Sequence, residues 1–473
     1  MKKGLVLVAV VGLVVFAGLI YCINMILDQS DDVVITCQVL EGDAAVAEGI
    51  SFRMGNQLQD GLFWDSYVTV HENTEQLEVF TEFENNWKER SDSVHYVSSY
   101  LLDEAIRLYI DGDYMVWNGG NIDFDAISNY STVLLSAAEF TAIAERTEAG
   151  ETHTEEFQLN KYLNYYDIYI SENLRAGSYL IAGNHELAKN FFRIQIPDSH
   201  KYKVSITKDA DGKIIQVGCG SENMQFESCS VQTEDGLYFA FYGIKDEQVV
   251  DLTMGSGNGI FCIPLKPAME ETNATYAPET TILYNQLVNA FPLPEKDCYP
   301  LEILTDEAEE NLFLLTSENK KAVLRIIDKA TMKEKQKLEL MDFAEMGKYY
   351  GRDEHQMDLL EEGLVLILND NAFCFVAEEN GIYETKIVTS LGEGPGGNRE
   401  KVYDMVYQDG RLVLLIAKGQ SWSSEAYLYI LSQSGVEYKG RFATSFDYEN
   451  GGFGEIYLRE EEPLKILTTP KRR

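Results

Sequence analysis

Three short apolar runs in the C-terminal third of the chain constrain its fold more than any other feature. Each run consists of four consecutive Leu, Ile, Val or Phe residues, and the runs begin 52 and 48 residues apart. They are Leu312–Leu315, Leu364–Ile367 and Leu412–Leu415. A continuous apolar run of this length is typical of a strand that is covered on both faces. The regular spacing predicts a repeated structural unit of about 50 residues.

Each apolar run is followed by a second strand that begins with alanine. These strands are Ala322–Ile326, Ala372–Val376 and Ala426–Ile430. A third, more polar strand follows, as at Val436–Phe442. In a β-propeller, inner strands lie between neighbouring blades, whereas outer strands meet water and alternate in polarity. The order predicts propeller-like blades with an apolar inner strand, an alternating second strand and a polar outer strand. An antiparallel meander in a β-sandwich is the alternative.

The rest of the chain reads mostly as short strands separated by Gly, Asn, Asp and Ser. The predicted strands are Val33–Leu40, Gln76–Phe83, Asp113–Trp117, Asp167–Ile170, Lys201–Ile206 and Gly236–Tyr242. Two stretches, Leu134–Arg146 and Thr280–Ala290, have the length and apolar spacing of helices. The predicted fold class is therefore all-β, with a β-propeller-like domain.

Prolines suggest one division of this domain. Six of the ten prolines fall between Pro264 and Pro300, which indicates either a hinge between two domains or a long crossing between blades. We therefore predict a β-rich region at 33–265, a connection or insertion at 266–297 and propeller-like blades at 298–470. A single continuous body with an insertion is the favoured form.

The N-terminus predicts a membrane anchor. Residues 4–27 form a run of 24 residues without charge, long enough to span a bilayer and too long for a cleaved signal peptide. Leu19–Cys22 resembles a lipidation box, but Tyr21 stands where that box needs a small residue. Lys2 and Lys3 place residues 1–3 in the cytoplasm, so we expect a single-pass protein of the cell membrane with an extracellular C-terminal domain.

Charge and cysteine content limit the partners. The chain carries 39 basic and 77 acidic residues, a formal net charge of −38, which disfavours a nucleic-acid partner because phosphate is repelled. Solubility of an exported domain explains this acidity more simply than a dedicated cation-binding surface. Six cysteines outside the span are too few to build the fold, although Cys219 and Cys229 are close enough in sequence to bridge one hairpin.

One local stretch resembles known proteins. Residues 42–50, with the sequence GDAAVAEGI, and Leu62–Trp64 resemble a stretch that follows the anchor in uncharacterised bacterial single-span exported proteins. The resemblance covers about 25 residues and implies a bacterial origin and a membrane-anchored location, but no chemistry. A strand–turn–strand entry into the first sheet, with Trp64 packed in the core, is compatible with it.

Motifs for catalysis or cofactors are weak. None of the six histidines has metal-ligand spacing, and each is predicted to lie on the surface or in a turn: His71, His95, His153, His185, His200 and His355. The Gly-rich stretches 392–397, 255–259 and 451–454 are predicted to be loops, because no strand and helix flank them as a nucleotide site requires.

Asp209–Gly212 could begin a calcium loop, but a hairpin turn explains it better, since Lys213, Ile214 and Ile215 cannot coordinate through their side chains. Asp111–Asp113 and Asp123–Asp125 are likewise turn-like. We predict no cofactor and no metal.

The function prediction follows from the architecture. No G-x-S-x-G or S-x-x-K motif supports a serine nucleophile, so the favoured prediction is a binding or scaffold module for a protein or carbohydrate partner of the cell envelope. The alternative is an extracellular carbohydrate-active enzyme that uses an Asp/Glu pair. Aromatic residues that could line its sugar platform are Trp87, Trp117, Trp422 and Tyr349–Tyr350.

Overall fold

The structure of the protein is a computed structural model that describes only part of the chain. The described residues are 11–23, 34–58, 62–71, 77–84, 106–108, 129–130, 135, 137–162, 165, 168–170, 179–182, 191–198, 200–221, 224–245, 248–267, 280–283, 286–342, 355–360, 362–368, 372–390, 401–417, 425–444, 452–457 and 465–466.

Strands dominate these residues, which confirms the all-β prediction. The strands are β1 (Ile35–Gly42), β2 (Ile50–Leu58), β3 (Leu62–Thr69), β4 (Glu78–Glu84), β5 (Ile106–Leu108), β6 (Asn129–Tyr130), β7 (Thr152–Gln158), β8 (Ile168–Ile170), β9 (Tyr179–Ala182), β10 (Lys201–Lys208), β11 (Ile214–Ser221), β12 (Met224–Gln232), β13 (Gly236–Lys245), β14 (Gln248–Val250), β15 (Gly259–Pro267), β16 (Thr280–Leu283), β17 (Val288–Pro292), β18 (Cys298–Thr305), β19 (Asn311–Glu318), β20 (Lys321–Asp328), β21 (Lys333–Asp342), β22 (His355–Leu360), β23 (Gly363–Leu368), β24 (Ala372–Glu379), β25 (Ile382–Ser390), β26 (Lys401–Gln408), β27 (Arg411–Ala417), β28 (Glu425–Ser432), β29 (Gly435–Thr444), β30 (Gly452–Tyr457) and β31 (Lys465–Ile466). The helical elements with defined bounds are α1 (Ala137–Arg146) and two 3₁₀ helices, Ala44–Ala47 and Leu159–Lys161.

The chain divides into two compact units. The first unit combines residues 1–91 with residues 353–473, and the second comprises residues 92–352. The predicted ranges 33–265 and 298–470 do not coincide with these units. Residues 266–297 lie inside the second unit, where their described part includes β16 and β17.

The second unit contains three larger sheets. One is a four-stranded antiparallel sheet in the order β18-β19-β20-β21. Another has the order β12-β13-β15-β16-β9, with β14 and β17 pairing off this path, and the third has the order β6-β11-β10-β7. The two short strands β5 and β8 form a separate pair.

The first unit repeats the simple four-strand order. One sheet follows β22-β23-β24-β25, and a second follows β26-β27-β28-β29 with β1 added as a fifth strand beside β29. In the third sheet, the C-terminal strand β30 pairs with β2, which is followed by β3 and β4, while β31 also pairs with β2. The first and the last described strands of the chain therefore belong to sheets of the same unit.

The predicted repeat corresponds to three consecutive sheets, each built on four successive strands. The apolar runs are the second strands β19, β23 and β27, and the alanine-initiated strands are the third strands β20, β24 and β28. The polar outer strand is the fourth strand, as in β21 and β25, whose exposed residues outnumber the buried ones. The predictions of an apolar run followed by an alanine-initiated strand are thus confirmed, and each sheet also has a first strand ahead of the apolar run. The outer strand predicted at Val436–Phe442 is β29, and the prediction that it lies outermost is wrong, because β1 pairs with its other side and Tyr438 and Phe442 are fully buried.

The prediction that the second strand of each repeat alternates is wrong. In β20 all residues from Ala322 to Ile327 are buried, and β24 is buried from Ala372 to Ala377. Both strands lie in the interior of a four-stranded sheet, and their side chains are buried on both faces. A strand that is buried on both faces needs apolar residues at consecutive positions, here mainly Leu, Ile, Val, Phe and Cys. The alternation of polar and apolar residues is therefore lost.

Apolar clusters hold the sheets of each unit together. In the first unit, Phe375 of β24 and Leu414 of β27 belong to one cluster, and Phe375 stacks on Tyr407 with ring centroids 3.8 Å apart. In the second unit, Phe192, Phe239 and Phe261 form the centre of a larger cluster, in which Phe192 and Phe261 are 4.9 Å apart, edge to face. Burial of such aromatic groups contributes most of the stabilising free energy of an all-β unit.

The entry from β1 into β2 agrees with the strand–turn–strand interpretation. β1 ends at Gly42, the 3₁₀ helix Ala44–Ala47 follows, and β2 begins at Ile50. The Asp43 carboxylate accepts a hydrogen bond from the Ala45 amide at 3.0 Å, which caps the 3₁₀ helix. The packing of Trp64 lies outside the described side chains.

Helix predictions succeed once and fail once. The stretch Leu134–Arg146 contains α1, whereas Thr280–Ala290 forms β16 and part of β17. The helix prediction there was wrong because β16 gains backbone partners on both sides, β15 antiparallel and β9 parallel. The β-branched residues at the start of this stretch also favour a strand over a helix.

Two further expectations are corrected by the sheet topology. Cys219 lies in β11 and Cys229 in β12, and these strands belong to different sheets, so the two cysteines do not share a hairpin. Cys229 is a buried free thiol. Residues 452–454 form the start of β30 rather than a loop, because β2 offers them backbone hydrogen bonds.

Part of the predicted membrane anchor is described. Residues 11–23 are helical. Among the described residues, no helix combines the length and the apolar character needed to cross a bilayer. The other residues of the predicted span, 4–10 and 24–27, lie outside the described part of the chain.

Two glycines at hairpin turns of the β22–β25 sheet provide a test of this packing. A Cβ atom at Gly363, where φ is +153°, would collide with the carbonyl oxygen of Val376, whereas a Cβ at Gly381, where φ is +79°, meets open space. We expect Gly363→Ala to lower the free energy of unfolding by clearly more than the cost of positive φ alone, about 1 kcal/mol, which Gly381→Ala should show. Urea denaturation followed by circular dichroism measures both, and equal losses would contradict the register of β23 and β24.

Candidate functional site

The strongest concentration of buried charge among the described residues lies on one face of the β18–β21 sheet. Directly paired residues of antiparallel strands point to the same face, and the register pairs Leu314 with Arg325 and Arg325 with Lys337. Thr316 and Glu318 share that face because they lie two and four residues from Leu314, respectively. The charged members of this group, which we call the Arg325 network, are Glu318, Lys321, Arg325, Glu334, Lys337 and Glu339.

Arg325 and Glu318 form the centre of the network. The Arg325 Nε donates to Glu318 Oε1 at 2.7 Å, and its Nη1 donates to Glu334. Lys337 Nζ donates to the other Glu318 oxygen at 2.7 Å, and the Thr316 hydroxyl donates to Glu318 Oε1 at 2.8 Å. The side chains of Arg325 and Glu318 are only 10% and 8% exposed. Each buried charge is therefore paired within a single sheet.

Glu318 is held in its ionised form. Burial alone would raise the pKa of this carboxyl, but the hydrogen bonds from Arg325, Lys337 and Thr316 outweigh burial and lower it below the ordinary value of 4.5. The thiol of Cys298, which is paired with Glu318 in the register, behaves oppositely. Burial and then the Glu318 charge raise its pKa to about 12, so this cysteine stays protonated.

The chemistry open to the Arg325 network is limited. A general acid or base must exchange a proton near neutral pH, and a nucleophilic cysteine must reach its thiolate form. Glu318 stays charged and Cys298 stays neutral, while the Arg325 guanidinium is engaged by two carboxylates. The network therefore acts as a brace that joins β19, β20 and β21.

A second charged group, which we call the Lys329 cluster, joins two sheets of the second unit. Lys329 Nζ lies 2.7 Å from Asp235 Oδ1 and 2.9 Å from Glu309 Oε2, and the Lys329 side chain is 10% exposed. Glu309 also accepts from the Glu234 amide at 3.0 Å, and the Thr233 hydroxyl donates to Asp235 at 2.7 Å. Since Asp235 belongs to the β12–β13 turn and Glu309 to the β18–β19 turn, the lysine fastens the turns of both sheets.

Acidic and aromatic side chains meet at Asp251 and Tyr299, the combination that the carbohydrate-enzyme alternative requires. Asp251 Oδ1 accepts from the Asp297 amide at 3.0 Å, and the Tyr299 and Tyr242 rings lie 6.4 Å apart. Burial and then Asp251 raise the pKa of Tyr299, which therefore donates its proton to the carboxylate in a hydrogen bond. Both donors position Asp251 as an acceptor that ties the loop after β14 to β18.

The positions of the described histidines agree only in part with the prediction of a surface or turn location. His200 and His355 are buried, with 0% and 4% exposure. The prediction of a surface or turn position holds for His200, whose amide donates to the Pro197 carbonyl at 3.0 Å in a turn, and is wrong for His355, which begins β22. Burial lowers the pKa of His355 to about 4, which keeps it neutral in the core beside the apolar residues of β22 and β23. His153 is partly exposed and lies 3.0 Å from Glu155. His95 and His185 lie outside the described residues.

The Asp209–Gly212 segment is a hairpin turn, as the favoured interpretation predicts. It connects β10 to β11, and the Asp209 carboxylate accepts from the amides of Asp211 and Lys213 at 3.0 and 2.8 Å. Gly212 has φ of +80°, which a tight turn requires. In the part of the chain that the structure describes, no group of three or more His, Cys, Asp or Glu is arranged to hold a metal ion.

Other candidate site residues from the sequence lie outside the residues and side chains that the structure describes. The stretches and side chains concerned are 392–397, 111–113, 123–125, Trp87, Trp117, Trp422 and Tyr349–Tyr350. Residues 255–258 form the predicted loop, and Gly259 begins β15. The carboxylate pair of the carbohydrate-enzyme alternative therefore stays a prediction.

The motif search did not find the Arg325 network, although the sequence contains a signal for it. Residues 320–337 include seven Lys or Arg and only two Asp or Glu, in a chain of net charge −38. Such a reversal of local charge indicates a segment whose cations neutralise acids elsewhere in the fold. Pairing between strands, which spacing along the chain does not reveal, decides which acids these are.

Comparisons with known proteins add no family. No protein-family model and no curated protein matches the chain. Similar solved structures include a putative 6-phosphogluconolactonase from Bacteroides fragilis, with 10% identity, 51% of this chain and 66% of that chain covered and a TM-score of 0.27. They also include the periplasmic gluconolactonase of Pseudomonas aeruginosa (12%; 56% and 88%; TM-score 0.26) and the β-propeller domain of Myceliophteria thermophila Cps50 (11%; 51% and 80%; TM-score 0.23). These TM-scores are too low for the likenesses to carry any argument about this chain.

Removal of the central cation tests the bracing role. We expect Arg325→Met to lower the free energy of unfolding by about 3–5 kcal/mol, because Glu318 stays buried without its main partner. The matched control is Lys386→Met in β25, whose exposed pairs with Glu379 and Glu384 contribute little. Urea denaturation measures both. Adding Glu318→Leu to Arg325→Met should restore most of the loss, and a double variant as unstable as the single one would contradict the pairing.

The lowered pKa of Glu318 predicts a pH dependence. Its ionised form stabilises the fold above the unfolded-state value of 4.5, and this contribution is lost as the pH falls through the folded-state pKa. The difference in unfolding free energy between the wild type and Glu318→Gln should therefore be largest at neutral pH and shrink in acid. Urea titrations at a series of pH values measure this difference. A difference independent of pH would show that Glu318 is not ionised in the fold.

Proposed function

We propose that the protein is a membrane-anchored extracellular scaffold whose sheets are the blades of a β-propeller-like domain that binds a cell-envelope partner. The observation that carries this proposal is a series of four consecutive antiparallel strands that occurs three times, as β18–β21, β22–β25 and β26–β29, with β1 added to the last sheet. Repetition of one such sheet along the chain is the architecture of propeller blades. Pairing of β30 with β2 supports the same interpretation, because a propeller closes when a C-terminal strand completes a sheet that the N-terminus begins.

The anchoring part of the proposal is supported by the exposure of the N-terminal helix. Every residue from 11 to 23 is exposed, including Leu13 at 68% and Phe16 at 62%. Transfer of each such side chain from water into an apolar environment is favourable by about 1.5–3 kcal/mol. A bilayer provides that environment, and the uncharged run 4–27 has the length to cross it.

The scaffold part of the proposal is supported by the pairing of the buried charged groups with one another. In the Arg325 network and the Lys329 cluster, acids and bases are paired with one another and join strands or sheets. This arrangement stabilises a rigid framework, which suits a module that presents its surface to a partner. With net charge −38, the partner surface is expected to be neutral or basic rather than nucleic acid or another polyanion.

Alkaline carbonate extraction of bacterial membranes tests the anchoring. The full chain should stay in the membrane pellet, and a chain that lacks residues 1–27 should be released, because only the former holds an apolar segment in the bilayer. Val14→Asp with Val15→Asp, which places two charges in the run, should also release the protein, while Thr36→Asp outside it should not. Release of the full chain by carbonate would contradict the proposal. Protection of the C-terminal domain from a protease added outside intact cells, which would place this domain in the cytosol, would also contradict it.

A further inference from the structure

Two hairpin turns of the first unit have the same backbone conformation. β24 joins β25 through Asn380 and Gly381, and β26 joins β27 through Asp409 and Gly410. φ is +57° and +79° along the first turn and +52° and +79° along the second. Positive φ at both central residues is typical of the type I′ turn, for which Asn-Gly and Asp-Gly are the favoured pairs. The first turn thus contains an amide where the second contains the corresponding acid.

The first turn exposes the groups that react when an asparagine is deamidated. In this reaction the backbone nitrogen of the next residue attacks the side-chain carbonyl carbon, Cγ, of the asparagine. Glycine as the next residue allows the closest approach because it has no Cβ. Asn380 and Gly381 are both exposed, and a Cβ added to Gly381 would meet open space. Among the described residues, no hydrogen-bond partner holds the Asn380 side chain away from the Gly381 nitrogen.

Another Asn-Gly pair of the chain, Asn258–Gly259, is held in place. Asn258 is 9% exposed, and its Nδ2 donates to the carbonyl oxygens of Pro294 and Cys298 at 2.8 and 3.1 Å. Gly259 begins β15, where an added Cβ would collide with Asn289 Oδ1. Attack by the Gly259 nitrogen requires both amide hydrogen bonds to break and the start of β15 to leave its sheet. Local opening therefore limits deamidation at this pair.

Glu378 contacts the nitrogen that must attack Asn380. Its Oε1 accepts a hydrogen bond from the Gly381 amide. That nitrogen reacts only after it has lost its proton. A carboxylate at hydrogen-bond distance retains the proton and disfavours the negative charge that its loss would leave. Because Glu378 is exposed, water competes for this hydrogen bond, which therefore slows the reaction without preventing it.

We propose that Asn380 is a site of spontaneous deamidation and that the Glu378 carboxylate slows this modification. The Gly381 nitrogen gives its proton to solvent and bonds to Asn380 Cγ, while the bond from Cγ to Nδ2 breaks and ammonia leaves. Water then opens the cyclic imide at either carbonyl carbon, which gives aspartate or isoaspartate at position 380. Aspartate fits the turn, since Asp409 occupies the same conformation. Isoaspartate adds one methylene to the main chain and disturbs the pairing of β24 with β25.

Peptide mapping by mass spectrometry tests the site. The purified full chain is incubated in mildly alkaline buffer, and conversion of amide to acid is followed at each asparagine. Conversion at Asn380 should be faster than at Asn258 by about tenfold or more, because the buried amide must first be exposed by local opening. Equal rates at the two positions would overturn the proposal. So would an unchanged Asn380 after a time in which a synthetic peptide of residues 376–385 is fully converted.

Variants of the same hairpin test the role of Glu378. Glu378→Ala should raise the rate at Asn380 by roughly two- to tenfold, the range that corresponds to the loss of one hydrogen bond. The matched control is Glu384→Ala, which removes an exposed carboxylate that pairs with Lys386 and should leave the rate unchanged. An unchanged or lower rate in Glu378→Ala would overturn the restraining role.

A third variant tests whether the turn accepts the acid. Asn380→Asp should unfold at the same urea concentration as the wild type, because Asp409 and Gly410 form the equivalent turn with an acid. A clear loss of stability in Asn380→Asp would overturn the inference that aspartate fits the turn.

Discussion

Backbone pairing of strands that are buried on both faces is the constraint on which the rest of this structure depends. β19, β23 and β27 sit second in their sheets, and every described side chain from Leu312 to Glu318 is buried. Such a strand has no solvent face, so its amides and carbonyls must pair with strands on both sides. Four-stranded sheets supply these pairs with the shortest connections. The apolar clusters then follow, because each central strand presents side chains to two layers.

Buried charge is placed at the edges of this apolar arrangement. On the β18–β21 sheet, Leu312 and Leu314 lie in an apolar cluster with Ile303, while Thr316 and Glu318 of the same strand begin the Arg325 network. A single face thus changes from apolar to ionic along one strand. The ion pairs cost desolvation, and the direct hydrogen bonds offset that cost. The result is a specific register for β19, β20 and β21, since a shift by one residue would move Glu318 into the apolar layer.

The sequence was most informative where side-chain pattern alone determines structure. Three apolar runs and the alanine-initiated strands after them identified the second and third strands of three sheets, because burial on two faces leaves a continuous apolar run. It failed where long-range pairing decides: Thr280–Ala290 has helical spacing but becomes strand through β9 and β15. The Arg325 network was missed for the same reason, since Glu318 and Lys337 are 19 residues apart and meet only across β20. Burial of His355 likewise depends on its partners in the fold.

The contribution of both chain ends to the first unit has a consequence for biosynthesis. β1 and β2 emerge from the ribosome first, yet their partners β29 and β30 are among the last strands to be made. Residues 92–352 contain all the described strands of their own sheets, so the pairing of these strands needs no segment that is made later. Until the C-terminus arrives, the edges of β1 and β2 stay open to other strands, a state that invites aggregation. Assembly of the first unit therefore ends with the pairing of its first and last strands, and a truncation that removes β29 and β30 leaves β1 and β2 without these partners.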